Sequence, residues 1–325
     1  MKTMLTRELG SLDALEIVEL PDDPVGEGQV RIEVLACGLN YVDALMIEGR
    51  YQIKPPVPYR PGSEVVGRVT ETGPGVAHLR VGDRVFAPVG TGGFSDSLVI
   101  QAARSIPIPA NLTEGQGATF MQSYLTAWFA FHERVQLREG ATMLVLGAGG
   151  GVGLAAVDVA VSMGVRVIAA ASSQEKRDLA TAAGAFATID VSTEDVKARA
   201  RELSGNALDY VYDPVGGELA EQCLRALAPH GQYMVVGFVA GIPRLPANHV
   251  LLTNRTVVGV DWGAWMLRNQ PANAAMLMTV MGELAAGRLH PVEPQTYPMS
   301  RAVDALRDMQ NRKVAGKVAL IPDFG

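Results

Sequence analysis

The chain has 325 residues, 48% hydrophobic and 19% charged, and a formal net charge of −6; a chain of this length suggests about two domains, and an acidic balance without a Lys/Arg run excludes a general nucleic-acid surface. Two cysteines, Cys37 and Cys223, stand far apart and exclude both a disulfide framework and a C-x-x-C metal knuckle. Charges near the N-terminus argue against a secretory leader, and no apolar run reaches the length of a membrane span, so a cytoplasmic protein is the simplest expectation.

Residues 1 to about 110 read as mostly β. Val30, Ile32 and Val34 alternate with Arg31 and Glu33, the period of a half-buried strand. Residues 65–70 and 83–87 predict further strands, separated by turns at Gly73-Pro74-Gly75, Gly82-Asp83 and Gly92-Gly93. From about Thr113 the texture changes to Ala-, Met-, Leu- and aromatic-rich sequence with few breakers, and two helical stretches are expected before Arg134.

The stretch from residue 143 to 156 organises the rest of the chain. A buried apolar run, 143–146, meets a burst of glycines and then small apolar residues at helical spacing. Such a strand–turn–helix aims backbone N–H groups and a helix N-terminus at a pyrophosphate. The best register is Ala148-x-Gly150-x-x-Gly153, with Ala where the first Gly of the dinucleotide fingerprint would stand. Gly150, with Gly151 and Val152, would form the phosphate turn, and Gly153 would let the helix pack closely. A glycine-rich turn that binds nothing is the bland alternative.

Strands and helices then alternate. Strands are expected at 165–170, 187–189, 208–212 and 232–236, with helices at 174–183, 194–203 and 219–227. That alternation marks a parallel, doubly wound sheet. With the usual strand order 3-2-1-4-5-6, a ligand would meet Gly150 to Gly153, Asp213 after the fourth strand, and Phe238 and Val239 after the fifth. A further strand at 256–260, helices near 273–286 and 301–310, and a last strand at 317–321 complete the chain.

These motifs, in this order, resemble the medium-chain dehydrogenase/reductase superfamily, and within it the zinc-free quinone oxidoreductase (zeta-crystallin-like) branch. The resemblance spans essentially the whole chain and rests on Gly38-Leu39-Asn40-Tyr41-Val42-Asp43, Pro61-Gly62-Ser63-Glu64, Val81-Gly82-Asp83-Arg84-Val85, Tyr124-Leu125-Thr126-Ala127, the glycine turn and Asp213-Pro214-Val215-Gly216-Gly217. It implies an α/β protein: a GroES-like β-rich catalytic domain, a Rossmann domain with a doubly wound parallel sheet, and a substrate cleft between them. The expected division is 1–112 for the first part of the catalytic domain, 113–255 for the dinucleotide domain and 256–325 for the return, which includes the last strand of the Rossmann sheet.

Residue by residue, the resemblance implies that Asn40 and Tyr51 line the catalytic cleft. It also implies that Thr126 lies near the nicotinamide, Lys176 at a 2′-phosphate and Arg312 near the cofactor. Two positions depart from the family pattern: Val191 stands where a tyrosine near the adenosine is common, and Pro214 where a serine sometimes follows the strand-four acid. Without the resemblance, Asn40 reads equally well as a helix cap and Tyr51 as a packing residue.

NADPH is the expected cofactor. An NAD site usually presents an acid about 20 residues after the glycine turn; here the second strand ends in alanines, followed by Ser172, Ser173, Lys176 and Arg177, two hydroxyls and two cations suited to a 2′-phosphate. Ser173 also reads as a helix N-cap. No metal is expected: where zinc relatives carry a Cys this chain reads Gly38 to Asp43, with Cys37 ahead of the ligand position, and Ser63 replaces their His. The implied reaction is zinc-independent hydride transfer from NADPH to a small apolar electrophile, a quinone or an α,β-unsaturated carbonyl. The alternatives are a zinc-type alcohol dehydrogenase of the same fold and a non-catalytic NADPH-binding or RNA-contacting protein. A homodimer is expected, pairing the β-branched run at 256–260 with its twin.

Overall fold

The alternation at Val30, Ile32 and Val34 becomes the buried face of an 11-residue strand, with all three side chains inside. The computed structural model describes residues 1–324 and resolves into two compact units, Met1–Met121 with Glu293–Gly325, and Gln122–Val292. In chain order the first unit opens with β1 (Lys2–Leu5), β2 (Glu16–Glu19), β3 (Gln29–Leu39), α1 (Tyr41–Ile47), β4 (Glu64–Thr72), β5 (Arg84–Pro88), β6 (Ser97–Gln101), β7 (Ile106–Pro107) and α2 (Glu114–Thr119). Then α3 (Met121–Phe129) leads into β8 (Thr142–Leu146), α4 (Gly151–Ser162), β9 (Arg166–Ala171), α5 (Gln174–Ala182), β10 (Ala187–Asp190), α6 (Val196–Ser204), β11 (Tyr210–Asp213), α7 (Leu219–Ala226) and β12 (Gln232–Val235). The second unit ends with α8 (Ala247–Leu251), β13 (Thr256–Gly259), α9 (Trp262–Arg268) and α10 (Gln270–Ala285); β14 (Gln295–Pro298), α11 (Ala302–Gln310) and β15 (Val318–Ile321) return to the first.

In the first unit a seven-stranded sheet runs β14-β15-β3-β4-β5-β7, with β6 also paired to β3. Its pairs are antiparallel except β14 with β15. Val30, Ile32, Val65, Val69, Val85, Phe94 and Leu320 are among the residues of its core. Antiparallel pairing suits the sequence here, because short Gly/Pro turns suffice to link neighbouring strands.

In the second unit all six strands are parallel, in the order β10-β9-β8-β11-β12-β13. Numbered within the unit this is 3-2-1-4-5-6, the expected doubly wound order. β8 is buried at all five positions and β9 at five of six, as helices on both faces require. The order reverses between β8 and β11, so the turn after β8 and the turn after β11 flank the switch point.

The compact units divide the chain at other residues than the expected domains. The first unit runs to Met121 rather than 112 because α2 packs on its sheet: Gly38 has no room for a Cβ, which would lie 2.0 Å from the Ala118 carbonyl oxygen, and Gly117 packs against Val66 and Ile108. The second unit runs to Val292 rather than 255 because three later elements belong to it. β13 pairs with β12, Trp265 of α9 meets Phe129 with ring centroids 4.9 Å apart, and α10 buries Met276, Leu277, Val280, Met281 and Leu284. The sequence reading missed α9 altogether; it is only seven residues long, too short for a periodic apolar signal.

Candidate active site

The polar cluster of the first unit is built at the meeting of three strand ends. β3 ends at Leu39, and Asn40 follows in extended conformation as the N-cap of α1. Its backbone N–H donates to Asp43 Oδ2 at 2.8 Å, so Asp43 reaches back from the first turn of the helix, half of a capping box. The Asn40 side chain does something else. Its Nδ2 donates to Glu64 Oε1 at 2.8 Å, and its Oδ1 accepts from Lys317 Nζ at 2.6 Å. Asn40, Asp43 and Glu64 are buried, and the Lys317 side chain is 11% exposed.

Strand registers explain the assembly. β15 pairs antiparallel with β3 so that Val318 faces Leu39 and Ala319 faces Gly38; one step further the chain brings Lys317 opposite Asn40. β4 pairs on the other side with Val65 facing Cys37, and Glu64 begins that strand. Gly38 leaves room for Glu64, whose Cγ would be 3.0 Å from a Cβ at that position.

Burial dominates the titration of the cluster. It raises Asp43 from 3.8 to about 7, helped by the Glu64 charge and opposed by N–H bonds from Asn40 and Gly62 and by the Lys317 ammonium. Burial lowers Lys317 against the pull of Glu64, Asp43 and Cys37, and pushes the Cys37 thiol well above its usual value. Lys317 is the member of this buried cluster that sequence reading missed. Its local signal is a cation directly before a fully apolar terminal strand.

Tyr51 lies just after α1, half-buried, with its backbone N–H donating to Leu45 O at 3.1 Å. Arg312 is exposed, adopts a left-handed conformation at φ 60° after α11, and donates its backbone N–H to Met309 O.

In the second unit the glycine turn is packed closely against the start of α4. Gly147 takes φ +58°, and a Cβ at Gly153 would sit 2.3 Å from the Gly147 carbonyl oxygen, so only glycine lets α4 start this close to the turn. Gly150, the N-cap of α4, is different: a Cβ there would meet only the Gly147 oxygen at 3.5 Å. The helix α4 starts at the turn with Gly151, Val152 and Gly153. Gly149 packs so tightly on Lys176 that a Cβ would come within 2.2 Å of the lysine Cβ. The turn and the start of α5 are therefore adjoining walls.

Ser172 is exposed at the tip of β9, and Ser173 caps α5 by accepting from the Lys176 N–H at 3.4 Å. Arg177 turns away into an ion pair with Asp190 at 2.9 Å, its side chain 13% exposed. Of the two cations expected at a 2′-phosphate, Lys176 packs beside the turn and Arg177 pairs with the acid that ends β10.

Asp213 is engaged by its own chain. It is fully buried; Oδ1 accepts the backbone N–H groups of Val215 and Gly216, each at 2.8 Å, and Oδ2 accepts the Tyr233 hydroxyl. These bonds shape the turn after β11. Phe238 and Val239, 47% and 49% exposed, follow β12 beside that turn, with a Cβ at Gly216 placed 3.0 Å from Phe238. Thr126 on α3 is half-buried and donates its hydroxyl to Gln122 O at 2.6 Å. Trp262 and Trp265 serve packing: Trp262 is buried with its indole N–H on Asn273 Oδ1, and Trp265 lies against Phe129.

Two family models match the chain, an alcohol dehydrogenase GroES-like domain over residues 26–110 and a zinc-binding dehydrogenase over residues 151–279. The quinone oxidoreductase-like protein 2 of Bos taurus is 35% identical over 94% of this chain and 88% of its own length. Among solved structures, the quinone oxidoreductase of Thermus thermophilus, described with its NADPH complex, superposes with a TM-score of 0.84 at 34% identity, covering 99% of this chain and 100% of that one. The Escherichia coli quinone oxidoreductase complexed with NADPH gives a TM-score of 0.85 at 26% identity, with 99% and 100% coverage. The chain belongs to the medium-chain dehydrogenase/reductase superfamily, in its quinone oxidoreductase branch. It is an oxidoreductase by family.

One family model carries zinc in its description, and the residues present do not fit that metal. A catalytic zinc takes about three protein ligands of N, S or carboxylate type. Here the neighbours of Glu64 include an amide and an ammonium group, and the Cys37 thiol nearby is held protonated by burial. Among the described residues no group of three or more His, Cys, Asp or Glu side chains is arranged to hold a metal ion. No helix among them is long and apolar enough to cross a membrane.

Proposed function

We propose that this protein is an NADPH-dependent oxidoreductase acting on a small apolar electrophile, a quinone or an α,β-unsaturated carbonyl, without a metal. The observation that carries the cofactor reading is the tip of β9. It holds no acid, presents Ser172 and Ser173, and sets Lys176 against the glycine turn. NADPH, when bound, supplies the hydride. Gly150 to Gly153 and the α4 N-terminus would hold its pyrophosphate, and Lys176 with Ser172 and Ser173 its 2′-phosphate. Thr126, Phe238, Val239 and Arg312 complete the proposed cofactor set.

On the substrate side, Asn40 and the Tyr51 hydroxyl would donate hydrogen bonds where negative charge develops on oxygen. A quinone or enone is already electrophilic and needs chiefly to be held and hydrogen-bonded. An alcohol would need a Lewis acid to reach the alkoxide, which the donor set around Glu64 does not supply. The test is NADPH oxidation against a panel of quinones and enones, and NADP⁺ reduction with alcohols, on protein whose zinc content is measured. Turnover of quinone or enone by zinc-free protein is expected. Activity confined to alcohols and restored by zinc after chelation would overturn the reading.

We further infer a homodimer. β13 is the edge strand of the parallel sheet, and Thr256, Val257 and Gly259 are exposed on it. An open β-branched edge invites pairing, and a second copy across a two-fold axis closes it.

A further inference from the structure

Reaction chemistry at Asn40 depends on which end of its amide faces a substrate. An asparagine amide has a donor end and an acceptor end of nearly identical shape, so only its hydrogen-bond partners choose between them. Here the choice is made twice. Glu64 Oε1 is an acceptor and takes an Nδ2 hydrogen at 2.8 Å; Lys317 Nζ is a pure donor and takes Oδ1 at 2.6 Å. A flipped amide would set its oxygen against the carboxylate and its NH₂ against the ammonium, two repulsive contacts in a buried site. In the observed orientation the amide nitrogen retains its second N–H, the one group of this side chain able to donate elsewhere.

We propose that Lys317 is a positioning residue for substrate reduction: by donating to Asn40 Oδ1 it holds the amide in one orientation, its second N–H a fixed donor for the substrate oxygen. The inference rests on the reading of Asn40 as the group that hydrogen-bonds that oxygen. Lys317 is delivered for this from the far end of the chain by the pairing of β15 with β3. It also has a second effect on the cluster. Lys317 Nζ lies 4.0 Å from Glu64 Oε1 and lends that carboxylate a counter-charge. The two roles make different demands. A counter-charge is dispensable once Glu64 is neutral, whereas orientation of Asn40 is not restored by neutralising Glu64.

Two variants separate them. Lys317→Met keeps the aliphatic stem and removes the donor; the double variant Glu64→Gln/Lys317→Met also removes the buried charge left behind. Each is read for Tm, for NADPH dissociation constant by fluorescence titration, and for kcat and KM with the best quinone or enone. Lys317→Met is expected to lower Tm and to lower kcat by about tenfold or more, with the NADPH dissociation constant within about twofold of wild type. The double variant is expected to recover Tm while kcat stays low, because neutralising residue 64 does not restore the donor to Asn40 Oδ1. A double variant with wild-type kcat would overturn the proposal and leave Lys317 a counter-ion. Failure of both variants to fold would also overturn it, assigning Lys317 to stability alone. A failure of the underlying reading looks different: Asn40→Ala with wild-type kcat, or a wild-type protein that reduces neither quinone nor enone.

Discussion

Asp213 at the end of β11 accepts the hydroxyl of Tyr233 from the neighbouring strand β12, while its other oxygen gathers the N–H groups of Val215 and Gly216. One buried carboxylate thus ties two parallel strands to the turn at the sheet's switch point. Asp213→Ala would orphan three donors in a fully buried place. The expected loss is about 3–5 kcal/mol of stability, with about 1–2 kcal/mol for Tyr233→Phe. Urea unfolding at constant m-value checks both; near-wild-type midpoints for Asp213→Ala would assign the residue to ligand contact after all.

Gly150 and Gly153 should separate binding from folding. At Gly153 a Cβ collides with the Gly147 carbonyl, whereas at Gly150 it makes only an ordinary contact with the Gly147 oxygen at 3.5 Å. Gly153→Ala is expected to lower both Tm and NADPH affinity. Gly150→Ala is expected to keep Tm and to weaken NADPH by about tenfold, because the added methyl occupies the approach of the pyrophosphate. Calorimetric titration paired with thermal melts distinguishes the two patterns.

Lys176 and Arg177 are adjacent in sequence and divided in use. Lys176→Ala is expected to cut kcat/KM for NADPH by about tenfold or more and to leave that for NADH nearly unchanged, the signature of a lost 2′-phosphate contact. Arg177→Ala should shift both cofactors alike, since its guanidinium is engaged by Asp190. Equal discrimination losses for the two variants would show that Arg177 leaves its ion pair on binding.

Asp43 predicts a pH dependence of stability. Burial raises its pKa from 3.8 to about 7 in the folded protein. An acid with a raised folded-state pKa binds more protons folded than unfolded. Its contribution is therefore full below the unfolded value and is lost as pH rises through the folded value. Asp43→Asn stays neutral and keeps an acceptor for the Asn40 N–H, so its Tm should gain on wild type between about pH 4 and about pH 7 and hold that gap above. A gap that is constant over that window would refute the raised value.

Val257, 39% exposed on the edge strand β13, reports on assembly. Val257→Asp would set like charges across a two-fold strand pair. Light scattering at micromolar concentration should find wild type as a dimer and this variant as a monomer with a similar Tm. A monomeric wild type would remove the dimer.

Much of this molecule is written locally. The glycine turn, the alternation that fills β3, the acid-free tip of β9 and the β–α rhythm of the second unit are patterns of neighbours. Neighbours a fixed few residues apart determine turns, faces and helix starts. The sequence could therefore place the glycine turn, the acid-free strand tip and the parallel sheet. What a side chain does with its polar atoms is decided by partners that folding brings from elsewhere. Arg177 and Asp213 look available in sequence and are engaged by Asp190 and Tyr233 through strands β10 and β12. Asn40 and Lys317 stand 277 residues apart and meet because β15 closes onto β3. No local pattern carries that information: a hydrogen bond needs two atoms within about 3 Å, and strand pairing across the whole chain, a property of tertiary topology alone, sets that distance.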